Sequence, residues 1–145
     1  MILKKFLSAI ALACALTMTN ASAAELKVRV SGITASARDA GSIVHVYVFT
    51  SADGFPKEER AIAHVAHSAP ADSLEFTIQV PDAAEYALMA YLDRNGDGKM
   101  NRFLGMIPQE PYALSRNPQV MGKPRFADAA VRPSSGELIV LNLRD

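Results

Sequence analysis

Apolar and polar residues alternate with period two in two stretches of the chain. In one, Leu26, Val28 and Val30 alternate with Lys27, Arg29 and Ser31; in the other, Leu74, Phe76, Ile78 and Val80 alternate with Glu75, Thr77 and Gln79. Successive side chains of a strand point to opposite faces, so each stretch predicts a strand with one buried face. Ile43 to Phe49 is apolar at nearly every position and rich in β-branched residues, which predicts a central strand covered on both faces. Tyr86 to Leu92 and Leu138 to Leu143 read alike. Turn residues separate these runs at Gly32, Asp39-Ala40-Gly41, Asp53-Gly54-Phe55-Pro56, Pro81-Asp82, Asn95-Gly96-Asp97-Gly98 and Pro133 to Gly136. Short strands so spaced, with few helical patterns, predict an all-β fold, an antiparallel immunoglobulin-like or Greek-key β-sandwich of about six or seven strands.

Two segments fit this pattern less directly. In Lys57 to His67, Pro56 followed by Glu58 and Glu59 suits a helix start, whereas Ile62, His64 and Ala66 alternate as in a strand. The expectation is a short helical turn running into a strand. Gly98 to Arg125 has no sustained period and carries Pro108, Pro111, Pro118 and Pro124. It is expected to be one long irregular loop between two strands, of a length that is often functional or held by something bound.

The N-terminus carries Lys4 and Lys5, then an uncharged apolar run from Phe6 to Leu16, then Ala21-Ser22-Ala23. That anatomy predicts a secretory signal peptide over residues 1–23 and a single domain over 24–145, periplasmic or secreted. The apolar run is shorter than the roughly 20 residues that span a bilayer. A competing reading makes Cys14 a lipidation site, but Ala11 sits where such a site prefers Leu, and the Ala-Ser-Ala triplet would go unused. Cleavage after Ala23 removes the chain's one cysteine, so the exported domain is disulfide-free, and thiol catalysis and Cys-based zinc sites are excluded together. It also removes two cations from a balance of 15 Lys+Arg against 15 Asp+Glu. The remaining slight acidic excess, without a basic run, argues against a nucleic-acid partner.

The strongest chemical signal is Asp93-Arg94-Asn95-Gly96-Asp97-Gly98-Lys99-Met100-Asn101. Asp93, Asn95, Asp97 and Asn101 fall at positions 1, 3, 5 and 9 of a calcium-type loop, the carbonyl of Lys99 falls at position 7, and Gly98 provides the sharp turn at position 6. Calcium takes six to eight oxygen ligands, and this alternation lets successive side chains address one centre. Against it, Leu104 stands where the bidentate Glu belongs, and Arg94, Lys99 and Arg102 oppose the carboxylates. The expectation is a Ca2+ or other hard-cation site with an affinity of about 0.1 to 1 mM. The alternative is a metal-free turn built on Asn-Gly and Asp-Gly.

Other chemistry is thinner. His64 and His67, three apart, have no third zinc ligand specified. His45 alternates with Tyr47 on a strand face, as a packed or edge residue does. Met100, Met106 and Met121 suit Cu(I), but gap-filling by a flexible thioether is the simpler account. Neither Gly-x-Ser-x-Gly nor His-Glu-x-x-His occurs, no catalytic residue is assigned, and an enzyme is disfavoured.

The ordered series Tyr86-Ala87, Asp93-x-Asn95-Gly96-Asp97-Gly98-Lys99, Leu104-Gly105-x-Ile107-Pro108-x-Glu110-x-Tyr112-x-x-Ser115 and Pro124-x-Phe126-x-Asp128-Ala129 resembles the bacterial domain-of-unknown-function family 2141, over Gly41 to Leu143. The resemblance implies a small exported β-sandwich with no established activity. Asn101 stands where the family often has Asp, Pro111 where it has Gly, and Arg116 where it has Asn. It also implies that Glu110, Tyr112, Ser115, Asn117 and Asp128 fold over the acidic turn as one unit, either contacting a ligand or holding the loop down by hydrogen bonds. The resulting expectation is a periplasmic or secreted non-catalytic binding or accessory module whose partner is an envelope protein or a small ligand. The alternative is a structural envelope protein whose acidic turn and long loop only complete the fold.

Overall fold

The computed structural model describes residues 22–145; most of the expected signal peptide, and Cys14, lie outside them. The elements in order are β1 (Ala23–Ser31), α1 (Ala35–Asp39), β2 (Ile43–Phe49), β3 (Ala63–Ser68), β4 (Ser73–Pro81), β5 (Ala87–Asp93), β6 (Arg102–Phe103), β7 (Ile107–Pro108), β8 (Tyr112–Leu114), α2 (Phe126–Ala129) and β9 (Leu138–Asn142). Strands β4, β1 and β9 form one sheet, β3, β2, β5 and β8 a second, and β6 and β7 a separate two-stranded hairpin. The fold is all-β, as the alternation of side chains predicts. Among the described residues no helix is long and apolar enough to cross a membrane.

The sheets meet through one face of the period-two pattern. Val28 and Val30 of β1, Ile78 and Val80 of β4, and Ile139 and Leu141 of β9 pack with Val44, Val46 and Val48 of β2 and Leu88, Ala90 and Leu92 of β5 in one buried aliphatic cluster. β2 runs with the bounds that its unbroken apolar sequence predicts, because it is covered on its other face too. There Tyr47, Phe49, Ala87, Met89, Tyr91 and Leu114 form a second cluster with Phe55, Met100, Phe126 and Ala129. The 3-10 turn Glu58–Arg60 leads into β3, so Lys57 to His67 is a helical turn entering a strand. His64 and His67 consequently face opposite ways: His64 pairs with outward-facing Tyr47, and His67 with inward-facing Val44.

Two expectations need correction. The sheets are not wholly antiparallel, because β9 pairs parallel with β1. A parallel pair needs a long connection, and here nearly the whole domain lies between the two strands, so no local turn constrains their direction. Nor is Gly98 to Arg125 one irregular loop. It holds the β6–β7 hairpin and β8, which pairs Met89 with Leu114 and Tyr91 with Tyr112. A three-residue strand is too short for a period to show, and only its pairing with β5 reveals it.

Candidate functional site

The acidic turn begins where β5 ends. Asp93 is 1% exposed, and its two carboxylate oxygens accept the N–H groups of Gly96 (2.7 Å) and Gly98 (2.8 Å). Both glycines have positive φ, 74° and 72°, which curls the chain back over the carboxylate at no steric cost. Glu110 returns to the same place from beyond the hairpin. It is buried, and its oxygens accept the N–H groups of Arg94 (2.9 Å) and Asn101 (3.2 Å). Glu58 accepts Met100 N–H at 3.2 Å, seating Met100 in the outer cluster. Burying a carboxylate is tolerable only where donors replace water; here backbone amides supply them.

Asp97 is exposed, and its oxygens accept Lys99 N–H (2.9 Å) and the side-chain amides of Asn101 (2.8 Å) and Asn95 (3.3 Å). The Asn101 bond, then the Lys99 amide, hold its carboxyl below the ordinary range. Asn95 Nδ2 also donates to Asn101 Oδ1 at 3.0 Å. Asn95, Asp97 and Asn101 therefore converge, while Asp93 is turned to the backbone beneath them. The Lys99 side chain points to solvent.

From this base the β6–β7 hairpin projects. Gln109 N–H donates to Asn101 carbonyl at 2.8 Å and closes its root, and Phe103 pairs with Ile107. Met106 N–H donates to Phe103 carbonyl at 3.2 Å across Leu104 (φ 51°) and Gly105 (φ 70°). Two successive left-handed residues suit Asn-Gly; Leu in that conformation costs about 1–2 kcal/mol. Phe103, Leu104, Met106 and Ile107 are 54%, 74%, 75% and 58% exposed. The sequence did carry a signal for this patch, since Phe103 to Ile107 is an apolar run with no matching strand pattern, but period-based reading passes over it.

The other expected binding residues do not gather at the turn. Tyr112 lies beside Tyr91 on β8. Ser115 is fully buried, accepting Leu88 N–H and donating to Ala129 carbonyl, so it ties α2 to the sheet and is no part of a contact surface. Asn117 donates to Val140 carbonyl and accepts Asn142 N–H. Asp128 pairs with Arg125, whose hydrogen bonds hold its carboxyl below the ordinary range. Of the five, Glu110 alone bonds the turn, because β8 runs antiparallel to β5 and carries the chain from Tyr112, opposite Tyr91, toward the start of β5, where Ser115 bonds Leu88. Tyr112 and Asn117 line an open groove of about 360 Å³ with Leu114, Val120 and Arg144; Asp128 lines a second of about 400 Å³ beneath Pro118–Met121. Met100 is buried while Met106 and Met121 are exposed, so the three thioethers do not share one environment.

Against the outer cluster four rings stack: His45 on His64 and Tyr91, and Tyr47 on His64 and Tyr91, with planes within 10°. His45 Nδ1 lies 2.9 Å from His64 Nε2, and His45 Nε2 lies 3.5 Å from Asp93 Oδ2. This chain of groups runs from an exposed imidazole to the buried root of the acidic turn. Burial, then the neighbouring His45, lowers the pKa of His64, with Glu58 opposing. Among the described residues no three His, Cys, Asp or Glu side chains converge as a metal-holding group.

The model of the family described as "Uncharacterized protein conserved in bacteria (DUF2141)" matches residues 28–139. The chain belongs to that family. Its match runs from within β1 to the second residue of β9 and takes in the acidic turn and the hairpin. Arg116 adopts φ 66°, a conformation that Asn reaches more readily. No curated protein and no solved structure matches the chain.

Proposed function

We propose that this DUF2141 protein is an exported, non-catalytic binding or accessory module whose contact element is the β6–β7 hairpin, held out rigidly by the acidic turn. The observation that carries the reading is the exposure of Phe103, Leu104, Met106 and Ile107, between 54% and 75%, on a root clamped by Asp93 and Glu110. Large apolar side chains clustered at a surface mark interaction sites, and a strained non-glycine backbone is kept where it serves presentation. A photo-crosslinking residue at position 104 or 106, compared with one at exposed Thr77 on β4, tests this in cells. Adducts at the hairpin alone support the reading. Their absence at both positions favours a structural envelope protein.

Calcium at the turn is the second part of the proposal, supported by the convergence of Asn95, Asp97 and Asn101. Rotating the Asn95 amide turns its oxygen toward Asp97 and Asn101, at the loss of the bond that this oxygen accepts from Asp97 N–H at 3.1 Å, with the Lys99 carbonyl nearby in sequence. The test is a thermal melt of chelator-stripped protein with added calcium, beside Asp97→Ala, which spares the buried Asp93 bonds. At 100 times its dissociation constant, a ligand of the folded state adds about 2.7 kcal/mol. A rise in the native protein and none in the variant is expected; no rise in either leaves a metal-free turn.

A further inference from the structure

The geometry points to an anionic phospholipid surface as the hairpin's partner: we propose that Phe103, Leu104, Met106 and Ile107 insert at the headgroup–acyl boundary while Lys99 and Arg102 meet lipid phosphates. This rests on the reading of the hairpin as a contact element. The order of groups along the projection carries it. Leu104 and Met106 form the tip, the Phe103–Ile107 pair follows, and Arg102, paired with Pro108, comes next. Arg102 lies two residues from Leu104, roughly 7 Å at strand rise, within the 5–10 Å or so to which interfacial apolar groups sink. Lys99 stands behind it in the turn. Apolar tip, cationic stem and hydrogen-bonded base thus follow the bilayer's own sequence of acyl chain, phosphate and water.

The charges near the stem agree. Among the described residues neither Lys99 nor Arg102 makes an ion pair, whereas Arg94 is paired with Asp145 at 3.1 Å. The carboxylates of Asp93 and Glu110 are buried on backbone amides, whereas exposed Asp97, held ionised by Asn101 and the Lys99 amide, offsets part of the Lys99 charge beside it. Beside the apolar tip, the cation with no carboxylate partner among the described residues is therefore Arg102, with Lys99 next to it in the turn. None of the four apolar hairpin residues belongs to either buried cluster, and each is more than half exposed.

The chain contains no tryptophan, so Leu104→Trp creates a single reporter. The protein as cells export it, carrying this change, is titrated with vesicles of phosphatidylcholine containing phosphatidylglycerol. The expected result is a blue shift of emission and quenching by brominated lipid, with apparent affinity about tenfold weaker on phosphatidylcholine alone. Adding Lys99→Glu and Arg102→Glu is expected to weaken anionic-vesicle binding by about tenfold or more, since each basic residue near such a surface contributes on the order of a kcal/mol, without moving the thermal midpoint. Thr77→Trp is expected to stay unshifted. No shift at position 104, or an equal shift at position 77, overturns the proposal. So does a shift that grows with protein concentration and needs no lipid, which would name a second copy of the chain as partner. Hairpin-specific protein adducts in cells without any vesicle response overturn the lipid assignment and leave the contact-element reading standing; no adducts and no vesicle response remove both.

Discussion

On its inner face the sheet β3-β2-β5-β8 meets another sheet, aliphatic side chain against aliphatic side chain; on its outer face it meets irregular chain, through rings and thioethers. The inner cover satisfies its backbone by strand ladders. The outer cover has few ladders, and its amides must find other acceptors. Of the five buried polar residues among those described, four lie there: Asp93 and Glu110 under the acidic turn, Ser115 beneath α2, and His45 among the stacked rings; the fifth, Ser42, precedes β2 and bonds Ala37 and Ala69 of the inner cluster through its backbone. The hairpin goes one step further, leaving four apolar side chains more than half exposed. A sheet face is closed cheaply by repetition, whereas closing it with loops requires a specific polar group for each stranded amide, and those groups then determine where the loops stand.

The comparison breaks most sharply in the inner layer. Leu92→Ala, at a fully buried position, is expected to destabilise by about 2–5 kcal/mol in chemical denaturation, and Met106→Ala on the hairpin by no more than about 0.5 kcal/mol. A comparable loss at both would show that the hairpin packs on something after all.

The outer cover is expected to fail locally first. Glu110→Gln leaves one carbonyl oxygen for two amides, at a cost of about 1–3 kcal/mol for the orphaned donor. Hydrogen exchange at Arg94 and Asn101 should quicken while Val46 and Leu88 keep their protection. Unchanged exchange at the first pair would refute the clamp.

The hairpin carries a change of opposite sign. Leu104→Asn relieves the left-handed leucine and is expected to stabilise by up to about 1 kcal/mol, a rise of a few degrees in Tm, while vesicle or crosslinked contact is lost. A fall in Tm would mean that Leu104 serves the fold.

The smallest effect follows from His64. Its folded pKa lies below the ordinary 6.5, so the unfolded chain takes up the proton first. The contribution is therefore fully present above pH 6.5 and lost as pH falls from there through the lowered value. Melts at pH 7 and pH 5.5 should show a slope that His64→Gln flattens; its partial exposure keeps the change well below those above.

The strands with a period or an unbroken apolar run were legible, β2 to the residue, because burial on a sheet face imposes the repeat locally. The acidic turn was legible as Asn-Gly and Asp-Gly. That Glu110 returns to the turn was expected from the family resemblance alone, because its contact is made 16 residues from Arg94, and spacing carries no information across a hairpin. Nor does spacing join His45 and His64, which meet only because β2 and β3 pair with Ala66 opposite His45.

By itself, then, the sequence determined the all-β class, the places of the long strands, the sharp turns and, through the ordered motifs, membership of DUF2141. Only the tertiary structure decided that β9 runs parallel to β1, that β8 is a strand, that two buried carboxylates bind backbone amides, and that four apolar residues of the hairpin are left exposed. The first set follows from interactions among near neighbours in the chain. The second depends on which distant segments compete for the same surface, and that is settled only when the sheets close.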